Sequence, residues 1–193
     1  MKYNLCLILI LILSIVHSEK QRIIYFIKGG EIDINKKSVL TDIIYAHCKA
    51  AGDFIANNNI TRFYFHPKIR QSAKLIANHY QYIAEFVDDY YSFPEKGNDY
   101  LLIERLKELL NYIWELEYEE KQYIQREYAI VCNDKIINIL TSVFLKDLTT
   151  KEKMDFCAVS KIVMKSNNLL NIEYWNENSF FKEGELKYLK KPK

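Results

Sequence analysis

The most constraining feature of the sequence is an uninterrupted apolar run that stops at a pair of glycines. Residues 23–27 are all β-branched or aromatic, which is typical of a parallel strand buried on both faces. Lys28-Gly29-Gly30-Glu31 follows at once. Two glycines directly after a buried strand indicate a tight turn with close backbone approach, where open α/β sheets place their ligands. The sequence therefore predicts an α/β fold with a binding site at this turn.

Helices and strands alternate along the rest of the chain. Apolar residues at helical spacing alternate with short β-branched or aromatic runs, and polar segments separate them. The predicted helices are 41–55, 68–80, 100–120 and 135–144, and the predicted strands are 62–65, 82–87, 127–132, 158–164 and 169–175. No element is predicted in the tail from residue 180. The pattern predicts one three-layer α/β/α domain with a mostly parallel central sheet and a C-terminal hairpin.

The N-terminus has the layout of a secretory signal peptide. A short segment with a single lysine precedes a continuous apolar stretch over residues 5–16, and Ser18 offers a small residue at a cleavage point. We therefore expect a signal peptide at 1–18 and a single domain at 19–193, secreted or in the lumen of the endoplasmic reticulum. An uncleaved segment would instead anchor the domain to a membrane. Asn59 begins the one N-x-S/T sequon of the sequence and is the predicted glycosylation site.

Charge and cysteine content narrow the classes of partner and cofactor. The formal net charge is only +2, so no strong field draws the chain to nucleic acid. Cys48, Cys132 and Cys157 remain once the leader is removed, and an odd number does not indicate a disulfide framework. Three cysteines are also compatible with one disulfide and one free thiol. His47 and His79 have no Cys or His neighbours at ligand spacing, so neither a metal nor another cofactor is expected.

Polar residues follow three of the predicted strands, and a parallel sheet would bring them to one edge. The three turns are Lys28-Gly29-Gly30-Glu31, His66-Pro67-Lys68-Ile69-Arg70 and Cys132-Asn133-Asp134-Lys135. In this order they resemble the histidine phosphatase (phosphoglycerate mutase-like) superfamily, whose motifs are Arg-His-Gly-Glu, Ser-Pro-x-x-Arg and His-Gly. The family's Leu-Thr signature before the first helix is matched by Leu40-Thr41. The resemblance covers roughly residues 22–181, and its end is similar to the mitochondrial phosphoglycerate-mutase-like Ser/Thr protein phosphatase branch.

The resemblance implies a phosphatase site without its essential histidines. In the family, the first-motif histidine attacks phosphorus and becomes phosphorylated, two arginines and a second histidine hold the oxygens, and a carboxylate protonates the leaving group. Here Gly29 stands at the nucleophile and Asn133 at the second histidine. Lys28 replaces the first arginine, which keeps the charge but loses the bidentate fork, and Arg70 is retained. The expected acid is Glu85, Asp88 or Asp89, all near the family's position for it.

These substitutions favour a catalytically degenerate phosphatase. Without a nucleophile the covalent route should fail, while Lys28, Arg70, Asn133 and Lys135 would still face one place. The predicted role is therefore binding or scaffolding, with a residual pocket for phosphate or a phosphorylated protein.

Two other functions stay open at this point. One is an active phosphomonoesterase or Ser/Thr protein phosphatase that uses a non-standard nucleophile; His66 and Cys132, both at strand ends, are the side chains that a nucleophile would come from. The other is a structural module that forms homo-oligomers, as the resembling mitochondrial branch forms assemblies. Each site residue also has a simpler explanation as a solvated strand-end charge or an inert buried side chain.

Overall fold

A six-stranded mixed sheet forms the centre of the protein. The computed structural model describes residues 21–30, 39–80, 85–87, 98–116, 127–145, 153–165 and 169–188. The strands are β1 (Arg22–Lys28), β2 (Ile60–Phe65), β3 (Glu85–Val87), β4 (Glu127–Cys132), β5 (Val159–Lys165) and β6 (Leu169–Glu177). Their order in the sheet is β3-β2-β4-β1-β5-β6. The first four strands are parallel, and β5 and β6 add the predicted antiparallel hairpin next to β1.

Strand β1 occupies the middle of the sheet because its side chains are apolar on both faces. Ile24, Phe26 and Ile27 are fully buried, and β4 and β5 flank the strand. The register pairs Lys28 with Cys132, so β1 and β4 end side by side. This pairing brings the glycine turn and the β4 turn to the same edge of the sheet, as the sequence predicts.

Within the described residues, five α-helices surround the sheet. They are α1 (Val39–Ile55), α2 (Arg70–Ile76), α3 (Asp99–Glu115), α4 (Asp134–Ile139) and α5 (Phe181–Tyr188). The sheet separates two apolar cores, one formed with α1 and α2 and the other with α3 and α4. Helix α5 packs against α1 on the first side. The prediction of a three-layer α/β/α fold with a mostly parallel sheet and a C-terminal hairpin is therefore confirmed.

Several predicted boundaries are wrong in detail. The helix predicted over 68–80 is a 3₁₀ turn (Pro67–Ile69), then α2, then a second 3₁₀ turn (Ala77–Tyr80). Pro67 starts this segment, and short 3₁₀ pieces are common where a helix begins or ends. The helix predicted over 135–144 is α4 followed by one π-helical turn (Leu140–Phe144). Helix α3 ends at Glu115 rather than at residue 120.

The tail is the clearest miss, because it forms helix α5 where no element was predicted. The segment has weak apolar periodicity, and its one buried position is a glycine. Gly184 allows α5 to approach α1 closely: a Cβ at this position would lie 2.3 Å from the Ala50 Cβ. Tertiary packing, rather than local propensity, therefore explains the helix. The predicted signal peptide at 1–18 lies outside the described residues. No helix within the described ranges has the length and hydropathy that a bilayer crossing requires.

Candidate functional site

The turn after β1 is closed by packing at the position where the related motif carries its nucleophile. The backbone N–H of Gly29 donates to the Cys132 carbonyl at 2.8 Å, which extends the β1–β4 ladder by one residue. A Cβ placed on Gly29 would lie 2.7 Å from Ile69 Cδ1 and 3.0 Å from Val131 Cγ1. Atoms do not approach that closely without displacement. Any side chain at position 29 would therefore require the Ile69 and Val131 side chains to move from their present positions.

The next residue of the turn is held just as firmly. The buried hydroxyl of Ser72, on α2, donates to the Gly30 carbonyl. A Cβ on Gly30 would lie 2.9 Å from Ile44 Cγ2 on α1 and 3.5 Å from the Phe156 ring. Helices α1 and α2 thus both press against the turn, which fixes its backbone and leaves little room for side chains.

Lys28 is the buried cation of the site, and its charge is already compensated. Only 8% of its side chain is exposed, and its Nζ lies 2.6 Å from Asp134 Oδ1. The ammonium also donates to the Met154 carbonyl at 2.7 Å and lies 4.3 Å from the centre of the Phe156 ring. A carboxylate, a carbonyl and an aromatic face therefore surround the group that was predicted to bind an anion.

Asn133 holds the helix that follows β4. Its side-chain oxygen accepts a hydrogen bond from the Ile136 N–H at 3.2 Å, which makes it the N-cap of α4. Asn is among the preferred N-cap residues because this bond satisfies a backbone donor that has no partner within the helix. The residue lies at the edge of the site, beside Asp134, and it is half-buried. Its capping role gives a structural reason for an asparagine here.

The other predicted cations lie on the surface around this edge. Arg70 is exposed at the first position of α2, directly after the Ile69 that fills the glycine turn. Lys135 is exposed as well, and its Nζ lies 3.0 Å from Asp99 Oδ1 at the start of α3. The structure thus joins Lys28 to Asp134 and joins Lys135 to Asp99.

The two alternative nucleophiles are both buried. The His66 side chain is 3% exposed, and its Nδ1 accepts a hydrogen bond from the Lys68 N–H at 3.2 Å. The Cys132 side chain has no exposed surface. Burial raises the pKa of the Cys132 thiol well above its usual range, and the nearby Asp134 carboxylate adds to this shift. A thiol is nucleophilic as the thiolate, so Cys132 is in an unreactive state at neutral pH.

The remaining candidate residues are only partly described. Glu85 is the first residue of β3, and Asp88 and Asp89 lie outside the described residues. Asn59 is exposed, one residue before β2, as a glycosylation site would require. Within the described ranges, no group of three His, Cys, Asp or Glu side chains is arranged to hold a metal ion.

Sequence reasoning missed three features of the site. The sequence predicts Asn133-Asp134 as the cap of the following helix but does not predict that Asp134 pairs with Lys28. Ile69 and the segment from Met154 to Cys157 were not assigned to the site. Their contacts with Gly29 and Lys28 join positions that are far apart in the sequence, and no local pattern reports such packing.

Solved structures share this fold. A phosphoglycerate mutase from Bacillus anthracis superimposes with a TM-score of 0.61 at 12% identity, covering 86% of this chain and 98% of the other. A mycobacterial glucosyl-3-phosphoglycerate phosphatase gives 0.57 at 12% identity, covering 82% of this chain and 100% of its own. A mutant phosphoserine phosphatase from Entamoeba histolytica, in complex with phosphoserine, gives 0.53 at 10% identity, covering 82% and 98%.

These likenesses are structural, because the shared identity is low. No family model matches the sequence, and no curated protein matches it either. The protein therefore has the phosphoglycerate mutase-like histidine phosphatase fold, and its neighbours in that fold are mutases and phosphatases.

Proposed function

We propose that the protein is a pseudophosphatase: a histidine-phosphatase fold that no longer catalyses phosphoryl transfer and acts by binding. The observation that carries the proposal is the close packing at Gly29. Glycine supplies no nucleophile, and the Cβ of any side chain there would conflict with Ile69 and Val131 in their present positions. Loss of a covalent nucleophile removes several orders of magnitude of rate in enzymes that depend on one.

The other side chains of the site support the same conclusion. Asn133 takes the place of the second histidine and carries no charge, and its oxygen is engaged in capping α4. His66 and Cys132 are buried at strand ends, and the Cys132 thiol is protonated at neutral pH. These observations disfavour an active phosphatase with a substitute nucleophile.

A weak anion site at Lys28 is the residual chemistry that we propose. The ammonium is buried at the carboxyl end of β1, where α/β folds bind ligands, and it keeps the charge of the arginine in the related motif. An incoming phosphate must compete with the Asp134 carboxylate for this cation, and it would meet repulsion from that carboxylate. We therefore expect binding to be weak and to depend on salt concentration.

The related Entamoeba structure shows that a protein of this fold can hold a phosphate ester with a histidine removed. That phosphoserine phosphatase carries a histidine-to-alanine mutation and is in complex with phosphoserine. By analogy, a phosphorylated side chain is a reasonable ligand class for the Lys28 site. A phosphorylated protein is accordingly the partner that we propose, and phosphate and phosphoserine are the simplest probes.

Titration calorimetry at low salt tests the binding proposal. The full chain is titrated with phosphate, with sulfate and with a phosphoserine peptide. The same peptide without its phosphate is the control ligand. Asp134→Asn removes the competing carboxylate and should tighten phosphate binding by about tenfold, since one charge contact contributes about 1–2 kcal/mol. Lys28→Met should abolish binding. No binding by the wild type or by Asp134→Asn would contradict the anion site.

A further inference from the structure

Two of the three described cysteines lie together on one side of the sheet. Cys48 is on α1, and Cys157 is in the segment that leads into β5; neither has any exposed surface. Both belong to the core formed with α1 and α2. Cys132 belongs to the core on the opposite face of the sheet. The fold therefore divides these three cysteines into a pair and a single residue.

The Cys157 thiol lies beside the turn of α1 that contains Cys48. Cys157 Sγ lies 3.8 Å from the Ile44 carbonyl oxygen, one helical turn before Cys48 on α1. Burial, and after it the neighbouring Cys48, raises the pKa of the Cys157 thiol, as expected for adjacent side chains in one core. Disulfide formation requires the sulfurs to approach to roughly 2.05 Å with a suitable torsion, and two cysteines on segments that pack against each other are placed to reach this geometry.

The backbone at Cys157 gives a second reason to assign it a role. Its φ of +61° is in the left-handed region, which few residues other than glycine adopt without cost. Its N–H donates to the Lys28 carbonyl at 2.6 Å, which holds the segment against the end of β1. Glycine would meet this backbone requirement more easily. A cysteine at such a position indicates that the side chain contributes something that glycine does not.

We propose that Cys48 and Cys157 are a disulfide pair, and that the bond fastens α1 to the segment that covers the Lys28 site. The oxidant is a small disulfide such as glutathione disulfide, or a dithiol–disulfide oxidoreductase. One protein thiolate attacks the oxidant's disulfide, which forms a mixed disulfide and releases one thiol. The second protein thiolate then displaces the remaining thiol. In total the two cysteines lose two protons and two electrons, and one oxidant disulfide becomes two thiols.

The burial of the pair determines when the bond can form. Desolvation raises the pKa of the Cys157 thiol well above its usual range, and the neighbouring Cys48 adds to this shift. Because the thiolate is the attacking species, the packed and reduced protein should exchange slowly. The bond should therefore close while the chain is folding, before α1 seals the core.

Oxidative refolding of the full chain is the direct test. Reduced, unfolded protein is refolded in a glutathione redox buffer or in dithiothreitol. Free thiols are then alkylated in denaturant, and peptides are mapped without reduction. We expect a Cys48–Cys157 linked peptide, a monomer lighter by two hydrogens, and free Cys6 and Cys132. Natively folded protein from the redox buffer with Cys48 and Cys157 both alkylated would overturn the proposal, and so would a linkage of either one to Cys6 or Cys132.

Two variants separate the bond from a general effect of cysteine replacement. Cys132→Ser should keep the linked peptide, whereas Cys48→Ser should remove it. The bond encloses more than half of the chain, so it should raise the melting temperature of the wild type and of Cys132→Ser by about 10 °C over the dithiothreitol-refolded protein. Cys48→Ser should melt at the same temperature in both buffers. Because the wild type carries the main readout, the test does not depend on either variant folding.

Discussion

At Gly29 an added side chain would conflict with the present packing around the turn. The residue touches Ile69 of the following 3₁₀ turn and Val131 of β4, so the site is a packed contact between three segments. The sequence located this turn correctly, because a buried strand and two glycines are local signals. It could not reveal the contact with Ile69, because that residue lies in a different strand-end turn and is brought close only by the sheet.

Replacing Gly29 with alanine tests the packing. The new Cβ would meet Ile69 Cδ1 at 2.7 Å, so Gly29→Ala should lower the free energy of unfolding by about 1–3 kcal/mol. Ile69→Val removes the Cδ1 atom and should relieve much of that cost in the double variant. Urea denaturation of the wild type, both single variants and the double variant forms a double-mutant cycle. We expect a coupling of about 1 kcal/mol, and additive effects would contradict the contact.

At the level of single elements, the C-terminal helix is the part of the fold that the sequence pattern does not predict. Helix α5 is attached to α1 through polar and aromatic contacts. The His47 ring stacks on Phe181 with 4.0 Å between ring centroids, and His47 Nε2 lies 2.9 Å from Glu185 Oε1. A long helix such as α3 can be predicted from the helical spacing of its apolar residues. A short helix such as α5 cannot be predicted in this way, because the residues that hold it in place are distant in the sequence.

Gly184 provides a test of this docking. Alanine is favoured over glycine inside a helix by about 1 kcal/mol, so an isolated helix would be stabilised by Gly184→Ala. In the folded protein the added Cβ would lie 2.3 Å from Ala50 Cβ and 3.2 Å from the Ala46 carbonyl oxygen. We therefore expect Gly184→Ala to destabilise the protein by about 1–3 kcal/mol in urea denaturation. The exposed Glu183→Ala is the matched control and should have little effect. Stabilisation by Gly184→Ala would contradict the close approach.

Asp53 gives a pH-dependent test of the same attachment. Partial burial acts to raise the pKa of this carboxyl, but hydrogen bonds from Lys187, Tyr188 and His79 outweigh it, so the pKa is lowered overall. A carboxyl whose pKa is lower in the folded state stabilises the protein above its unfolded pKa of about 3.9. This contribution is lost as the pH falls through the folded value.

Because the pKa of Asp53 is lowered in the folded state, its carboxylate should stabilise the protein at neutral pH. Asp53→Asn should lower the free energy of unfolding by about 1 kcal/mol at pH 7, a modest value because the group is partly exposed. The difference in the free energy of unfolding between Asp53→Asn and the wild type should become smaller below about pH 4. Urea midpoints at pH 7, 5 and 3 measure this trend. Asp99→Asn, at the exposed Lys135 pair, is a control for surface charge removal away from α5. A difference that grows as the pH falls would contradict the assignment.

At the scale of the whole molecule, the order of strands and helices was predictable and the chemical state of the site was not. Alternating periodicities and the final hairpin predict a parallel sheet with a C-terminal hairpin, and the structure contains both. The motifs predict that the two histidines of the family are missing. The pairing of Lys28 with Asp134 and the closure of the turn depend on three-dimensional packing. The sequence therefore predicts a lost nucleophile but not the side chains that pack against Gly29.

The predicted leader is a whole-molecule property that can be measured directly. When the full chain is expressed in eukaryotic cells, we expect the protein to enter the secretory pathway and lose residues 1–18, so that the mature N-terminus is Glu19. N-terminal sequencing and a glycosidase shift at Asn59 check this expectation, and Asn59→Gln is the control for the shift. An intact Met1 terminus on soluble, unglycosylated cytosolic protein would contradict it.

The central claim, that this phosphatase fold no longer catalyses phosphoryl transfer, is tested by hydrolysis of p-nitrophenyl phosphate by the purified full chain. Enzymes typically turn over at about 10 s⁻¹, and removal of a nucleophile costs about 10⁴-fold or more, so we expect a kcat of roughly 10⁻³ s⁻¹ or lower. Lys28→Met should leave that residual rate unchanged. Turnover well above this level that scales with protein concentration and falls in Lys28→Met would contradict the account.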